Sequence, residues 1–200
     1  NTLTYVAIVV PSAVALGLAV ALLIESGGSL RAWYRTIYFL PVMATLIAMS
    51  IVWEFMLHPQ FGLINGLLHG IGFEGFSWLQ DRRTALYALC VIGIWQALGF
   101  NMVLFLAGLV SIPRQLYDAA EIDGARFLRT FRYIVLPAIW PVMAIAILIR
   151  GLDLFRIFDI IWALTQGGPG TRTETVSLYA YSQGFKQFET SYTSAIAFLV

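Results

Sequence analysis

Apolar residues in this chain run together instead of alternating with polar ones. Residues 5–24, 36–53, 84–113 and 133–149 contain no charged side chain, and the second run continues past Glu54 to Leu57. A bilayer core ~30 Å thick needs about 20 helical residues to cross it. The first four runs predict spanning helices, the fourth only if it continues through the charges that follow it. A fifth run, 190–200, reads as the beginning of another span. Continuous apolar runs are not the alternating pattern of a barrel strand, so the expected class is an all-α polytopic membrane protein with about five spanning helices. Residues 1–200 form a single transmembrane domain on this reading, because no repeat and no low-complexity linker divides them.

Prolines fall inside or at the ends of the runs (Pro11, Pro41, Pro137, Pro141). Membrane helices tolerate them where neighbouring groups satisfy the freed carbonyls. Small residues recur as well. Gly17, Ala19 and Ala21 in the first run, and Gly93, Gly99, Ala107 and Gly108 in the third, predict close helix packing.

Composition agrees with a lipid solvent. The chain is 60% hydrophobic and 12% charged, where soluble domains carry about 25% charge. A net charge of +1 offers no basic field for nucleic acid. The single cysteine, Cys90, allows neither an internal disulfide nor a multi-cysteine metal site. His58 and His69 have no partner at metal-ligand spacing and read as surface residues. The chain opens at Asn1 without a methionine and stops at Val200 inside an apolar run, and is read as part of a longer protein.

Loops 25–35 and 114–132 hold Arg31, Arg35, Arg114, Arg126, Arg129 and Arg132; loops 58–83 and 165–189 hold Arg82, Arg83, Arg172 and Lys186. The positive-inside bias places the first pair of loops in the cytoplasm.

One polar segment interrupts this pattern. Residues 118–137, DAAEIDGARFLRTFRYIVLP, carry Asp118, Glu121, Asp123, Arg126, Arg129 and Arg132 between the third and fourth runs. Pro113 suits a helix start. Gly124 suits a left-handed helix end. Beyond it, Phe127, Phe131 and Ile134, with Leu128 and Val135, make an apolar face opposite the arginines. Two short helices around a glycine are therefore expected over 113–137. A turn that only reverses the chain needs about 4–8 residues, so this longer segment is expected to receive a partner.

Ala119, Ala120, Asp123, Gly124, Ala125, Phe131, Ile134, Leu136 and Pro137 stand in the register of the EAA loop of ABC-importer permeases, which this segment resembles. The departure is Asp118 where that family has Glu. The resemblance extends over nearly the whole chain. Arg35-Thr36 with Phe39-Leu40-Pro41 resembles that family's entry into a span, Phe61-Gly62-Leu63-Ile64-Asn65 with Trp78-Leu79 and Asp81 its external loop, and Leu98 to Pro113 the helix leading into the EAA loop. Phe158-Asp159, Leu164-Thr165, Gly167-Gly168-Pro169 and Thr173-Glu174-Thr175 are similar to the carbohydrate-uptake branch and its maltose-transporter-like membrane subunits. The resemblance implies a MetI-like permease core in the bacterial inner membrane. It implies that segments before Asn1 and after Val200 lie outside this sequence. It also implies a coupling helix in which Asp118, Ala119, Ala120, Asp123, Gly124, Ala125, Arg126 and Phe131 meet a cytoplasmic ATPase subunit. ATP and magnesium would then bind to that subunit, leaving this chain no cofactor. The further partners implied are a second permease subunit, an extracytoplasmic solute-binding protein and membrane lipid, with no nucleic acid.

Arg150, Asp153, Arg156 and Asp159 follow the fourth run at a spacing of three, with alternating sign. Charge inside a span is costly and faces a bundle interior or a wet cavity. The row reads either as an ion-pair ladder or as the polar lining of a path for a hydroxyl-rich solute. Asn101 is a further pathway candidate, although a residue of this kind more often serves as glue between helices. The loop 165–175, TQGGPGTRTET, lacks the Gly-Lys-Ser/Thr of a phosphate loop, so the chain has no ATP site of its own. No Ser/His, HExxH or GxSxG constellation favours an intramembrane enzyme built on Asp153 and Asp159. A stand-alone carrier or channel leaves the long charged loop unexplained. A sugar- or polyol-importing transport subunit that is not itself an enzyme is the leading expectation.

Overall fold

The computed structural model describes residues 1–26 and 31–199. Residues 27–30 of the loop 25–35, and Val200 at the end of the fifth run, lie outside the described residues. The described residues are helical and contain no strand. In chain order the helices are α1 (Thr2–Ser26), α2 (Arg31–Met43), α3 (Leu46–Met56), α4 (Leu63–Gly70), α5 (Ala85–Val110), α6 (Arg114–Ile122), α7 (Phe127–Thr130), a π-helical turn Phe131–Val135, α8 (Leu136–Phe155), α9 (Asp159–Leu164), α10 (Val176–Tyr181), a second π turn Ser182–Lys186, and α11 (Thr190–Leu199).

Three helical stretches are long and apolar enough to span: Thr2–Glu25, Ala85–Val110 and Phe127–Phe155. The second apolar run does not form one straight helix. It breaks between α2 and α3, which meet at 100°, so the described spans number three, or four if the bent pair counts as one. Thr45 adopts extended backbone there and begins α3, its carbonyl receiving the Met49 N–H at 3.0 Å. A β-branched residue accepts that conformation readily, and the break follows shortly after Pro41. Continuous apolar residues on both sides hide such a corner from any pattern. The fifth run is α11, ten residues long and too short to cross by itself.

By its contacts the chain divides into two compact units. The first comprises Asn1–Val9, Met43–Ile94 and Gly151–Val200. In it α3 packs on α9, and the Tyr5 hydroxyl of α1 rests where Gly93 of α5 carries no side chain. The second comprises Val10–Val42 and Trp95–Arg150. There the buried face of α1 recurs at Val10, Ala13, Val14, Leu18, Ala21 and Ile24, the helical spacing of a packed stripe. Gly17 lies against Asn101 of α5, Gly99 of α5 receives the backbone of Tyr38 in α2, and Gly108 of α5 faces Val142 of α8. These are the small-residue approaches that membrane helices use in place of a hydrophobic drive. Outward faces are apolar too: Leu16, Leu23, Ile37, Leu40, Trp140, Leu148 and Leu152 are exposed, as expected where lipid or another membrane chain is the neighbour.

Candidate functional site

The charged segment folds as one short helix, α6, that ends at Gly124, followed by the opening turn of a long one. Pro113 is the N-cap of α6, one residue before the helix begins. At the other end Gly124 has φ +66°. The Gly124 N–H donates to the Glu121 carbonyl at 3.0 Å, and the Ala125 N–H donates to the Ala120 carbonyl at 2.8 Å. This pair of bonds is the Schellman closure, which satisfies carbonyls otherwise orphaned at a helix end. Nothing lies within 4 Å of where a Gly124 side chain would begin. The glycine is therefore required by backbone conformation and not by crowding.

Around this turn Asp118, Ala119, Asp123 and Arg126 are exposed, Ala125 is half-buried and Ala120 is buried. Asp123 is the C-cap of α6 and Arg126 the N-cap of α7. Ile122, Phe127 and Leu128 are 87%, 70% and 75% exposed, so a compact apolar cluster stands beside the charges. Phe131, four residues after Phe127, stacks on it with ring centres 6.3 Å apart. Phe127 and Phe131 also line a cavity of about 330 Å³ with Leu22, Glu25 and Tyr117. Burial raises the Tyr117 pKa, and the Glu25 carboxylate adds to the rise.

Two expectations for this segment need adjustment. The apolar face of 127–135 is not uniform: Val135 is buried and Phe131 and Ile134 half-buried, while Phe127 and Leu128 are exposed. Nor does the second of the two expected helices end at Pro137. That proline lies in the first turn of α8, directly after the π turn, so the helix continues from Phe127 to Phe155. Proline lacks the N–H that would bond back one turn, and a widened turn is a common accommodation of such a gap.

The row Arg150, Asp153, Arg156, Asp159 is not a ladder on one helix. α8 ends at Phe155, Phe158 leaves helical geometry with φ −133° and ψ −57°, and Asp159 opens α9. The change of axis after Phe155 removes the regular three-residue drift that spacing alone implies. Arg150 is half-buried with its guanidinium carbon 4.6 Å from the Phe100 ring centre, a cation–π geometry. Asp153, Arg156 and Asp159 are exposed, and among the described residues no ion pair joins Arg156 to Asp159. Asn101, the remaining pathway candidate, is fully buried at the α1 approach, and its side-chain amide has no hydrogen-bond partner.

Beside the exposed Arg156 and Asp159 stands an aromatic cluster that sequence reading did not single out. Phe158 and Trp162 stack at 5.9 Å, and Tyr181 packs 5.1 Å from both. Phe185 stacks on Tyr181 at 5.1 Å, and the Lys186 ammonium sits 4.9 Å over the Trp162 ring. Two aromatic pairs at a spacing of four, 158/162 and 181/185, were the available signal.

Two polar clamps hold the loops of the first unit. The buried Asn65 amide donates to the Pro59 and Phe76 carbonyls at 3.0 and 2.9 Å, and its oxygen accepts from the Phe76 N–H at 3.1 Å and the Trp78 indole at 2.8 Å. All of its hydrogen-bonding groups are thereby used. In the glycine-rich loop, the Thr165 and Thr173 hydroxyls lie 2.7 Å apart, and Thr173 donates to the Gly168 carbonyl at 2.7 Å. Gln166, Gly167 and Gly170 have positive φ. The loop is thus shaped by its own bonds, as an external turn requires. Glu54, His58, Leu79, Gln80, Thr165 and Pro169 line a cavity of about 410 Å³ between these clamps. His58 stacks on Phe61 at 3.5 Å, and its Nδ1 accepts the Gln60 N–H. Among the described residues no cluster of ligating side chains could hold a metal.

Three helices long enough to span among the described residues, one bent helix pair, and a glycine-closed polar segment between two of the spans define the class: a polytopic membrane protein. The chain belongs to the family described as binding-protein-dependent transport system inner membrane component, whose model matches residues 5–200. It is 34% identical over 197 residues to the sulfoquinovosyl glycerol transport system permease protein of Agrobacterium fabrum, covering 98% of this chain and 64% of that one. It is 38% identical over 167 residues to the trehalose/maltose transport system permease protein of Thermococcus litoralis, covering 84% of this chain and 57% of that one. A solved bacterial alginate ABC transporter, in complex with an alginate pentasaccharide-bound periplasmic protein, superimposes with a TM-score of 0.87 at 26% identity. The match covers 100% of this chain and 70% of the neighbour's. The chain thus spans less than two thirds of the length of the two relatives.

Proposed function

We propose that the chain supplies part of the translocation path of an ATP-driven importer for a sugar or related polyol, and that residues 113–137 carry the force of a cytoplasmic ATPase subunit into the spans. One observation carries the reading: the Schellman turn at Gly124 holds Ile122, Phe127 and Leu128 out as an exposed apolar cluster ringed by charge. A fixed knob of this kind suits insertion into a cleft of another protein. Because α7 continues into Phe127–Phe155 without a break, a push on the knob reaches a spanning helix directly. Asp118, Ala119, Ala120, Asp123, Gly124, Ala125, Arg126 and Phe131 form the docking element. The decisive experiment is affinity purification of the membrane-embedded protein. Retention of an ATP-hydrolysing subunit is expected with the native segment, and its loss is expected when Ile122, Phe127 and Leu128 are replaced by Ser. Equal retention in both overturns the reading.

For the solute, Asp153, Arg156 and Asp159 supply exposed charge and Phe158, Trp162 and Tyr181 supply ring faces. A few polar groups on an aromatic wall suit a molecule with an apolar ring face and a rim of hydroxyls. The names of the permease relatives, and of the alginate neighbour, support a carbohydrate. In the second unit, Arg150 over the Phe100 ring and Asn101 in the α1 packing are the further polar groups proposed for the path. The alginate neighbour's periplasmic partner supports a solute-binding protein on the outer face, and family membership supports a second permease subunit against the exposed apolar face of α8.

A further inference from the structure

Three arginines from two separate stretches of chain line one cavity. Arg31 and Arg35 come from the first turns of α2 and Arg114 from the start of α6, around a space of about 470 Å³ in the second unit. The opposing charges on its wall are Glu25 at the end of α1 and Asp118 on α6, so cations outnumber anions. Arg31 hydrogen-bonds the Glu25 backbone carbonyl, and among the described residues neither Arg35 nor Arg114 has an ion pair. Each guanidinium brings five donors in a planar fork, and most of these donors have no partner among the described residues. The Tyr117 hydroxyl, on the same wall, adds a neutral donor.

The depth of the cavity is fixed by the helices that frame it. The apolar length of α1 ends at Glu25, and α5 ends at Val110, so the arginines stand where hydrocarbon gives way to headgroups. The floor is apolar: Leu106 and Leu109 of α5 are buried, and Val110 is exposed beside them. A free anion needs no apolar floor, and an acidic protein partner needs no hydrocarbon flank. An amphiphile needs both the cations and the floor.

We propose that this cavity binds the phosphate of an anionic membrane lipid, with Arg31, Arg35 and Arg114 on the headgroup and an acyl chain along Val110. The reading rests on membrane insertion alone and stands independently of the coupling role given to Gly124. Guanidinium forks match phosphate oxygens in pairs, and basic pockets between spanning helices are a recurring way to hold such headgroups.

Native mass spectrometry of the detergent-purified transporter, offered phosphatidylglycerol or phosphatidylcholine, tests the site. Preferential retention of phosphatidylglycerol is expected, with retention falling about fivefold for each arginine removed, in Arg35→Gln and in Arg114→Gln. Arg35→Lys should keep part of the binding, which separates charge from misfolding. Equal retention of the two lipids, or unchanged retention in both Gln variants of normal yield, overturns the proposal. Displacement of the lipid by inorganic phosphate alone overturns it in favour of a free-anion site. A photo-cross-linker at residue 35 that captures a protein subunit and excludes lipid overturns it.

Discussion

The Ala125 N–H reaches back to the Ala120 carbonyl at 2.8 Å, across a glycine whose φ is +66°. That single bond fixes the angle at which α6 leaves and α7 begins. It sets where Ile122 and Phe127 stand without any help from packing, since the space beside Gly124 is open. The turn is held by backbone geometry, so its failure modes are backbone failures.

Replacing Gly124 therefore acts through conformation. An L-residue in the left-handed region costs about 1–2 kcal/mol, less for Asn. Gly124→Asn is expected to keep most transport, Gly124→Ala to lower it, and Gly124→Val to abolish it, with membrane insertion constant across the series. Uptake of labelled solute, set against the amount of protein in the membrane, reads the order. Normal uptake in Gly124→Val removes the coupling role from this turn.

Gly17 is the opposite case. A side chain there would begin 2.6 Å from the Asn101 Cβ and 3.3 Å from the Asn101 and Met102 backbone. Backbone cannot move aside as a flexible side chain does, and overpacking of this kind costs about 1–3 kcal/mol. Gly17→Ala is expected to lower the melting temperature in detergent. Gly66→Ala is the control: it sits within α4 with nothing within 4 Å and should stabilise by about 0.5–1 kcal/mol. Paired thermal unfolding curves decide.

Asn65 makes four hydrogen bonds from one buried amide, tying residues 59, 76 and 78 to α4. Asn65→Ala leaves part-buried bonds unmade, at about 1–3 kcal/mol each where water cannot replace the lost bond. Asn65→Asp keeps the acceptor for Phe76 and Trp78 and loses both donors. Proteolysis of the 57–84 loop should be fastest in Ala and intermediate in Asp, with Trp78 fluorescence shifted red in Ala. Identical proteolysis in all three forms would show that the clamp does not hold the loop.

The long apolar runs and the Gly124 turn were legible in the sequence because each rests on local rules: the length needed to cross a bilayer, and the residue a left-handed cap requires. The corner at Thr45 was not, since a break between two apolar helices changes no hydrophobic pattern. Nor was the end of α8 at Phe155, where a spacing of three suggested one charged face and the chain instead turns before Asp159. The Asn65 clamp was visible only as an Asn and a Trp in one loop, because its partners are mostly backbone carbonyls, which every residue has. The convergence of Arg31 and Arg35 with Arg114 spans some eighty positions, and only the fold brings it about.

Arg156 and Asp159 give the sharpest test of the solute path. Both are exposed, they lie three residues apart across the turn from α8 to α9, and no ion pair joins them among the described residues. Neutralising either should then leave yield and melting temperature unchanged, because no partner is stranded. A hydrogen bond from a charged group to a solute hydroxyl is worth about 1.5–3 kcal/mol. Its loss should weaken the concentration dependence of uptake roughly tenfold or more in Arg156→Gln and Asp159→Asn. Trp162→Ala should weaken uptake as well, through loss of a ring face. If Asp159→Asn transports with unchanged kinetics at normal yield, Asp159 does not touch the solute. If yield falls together with uptake, its charge serves assembly instead.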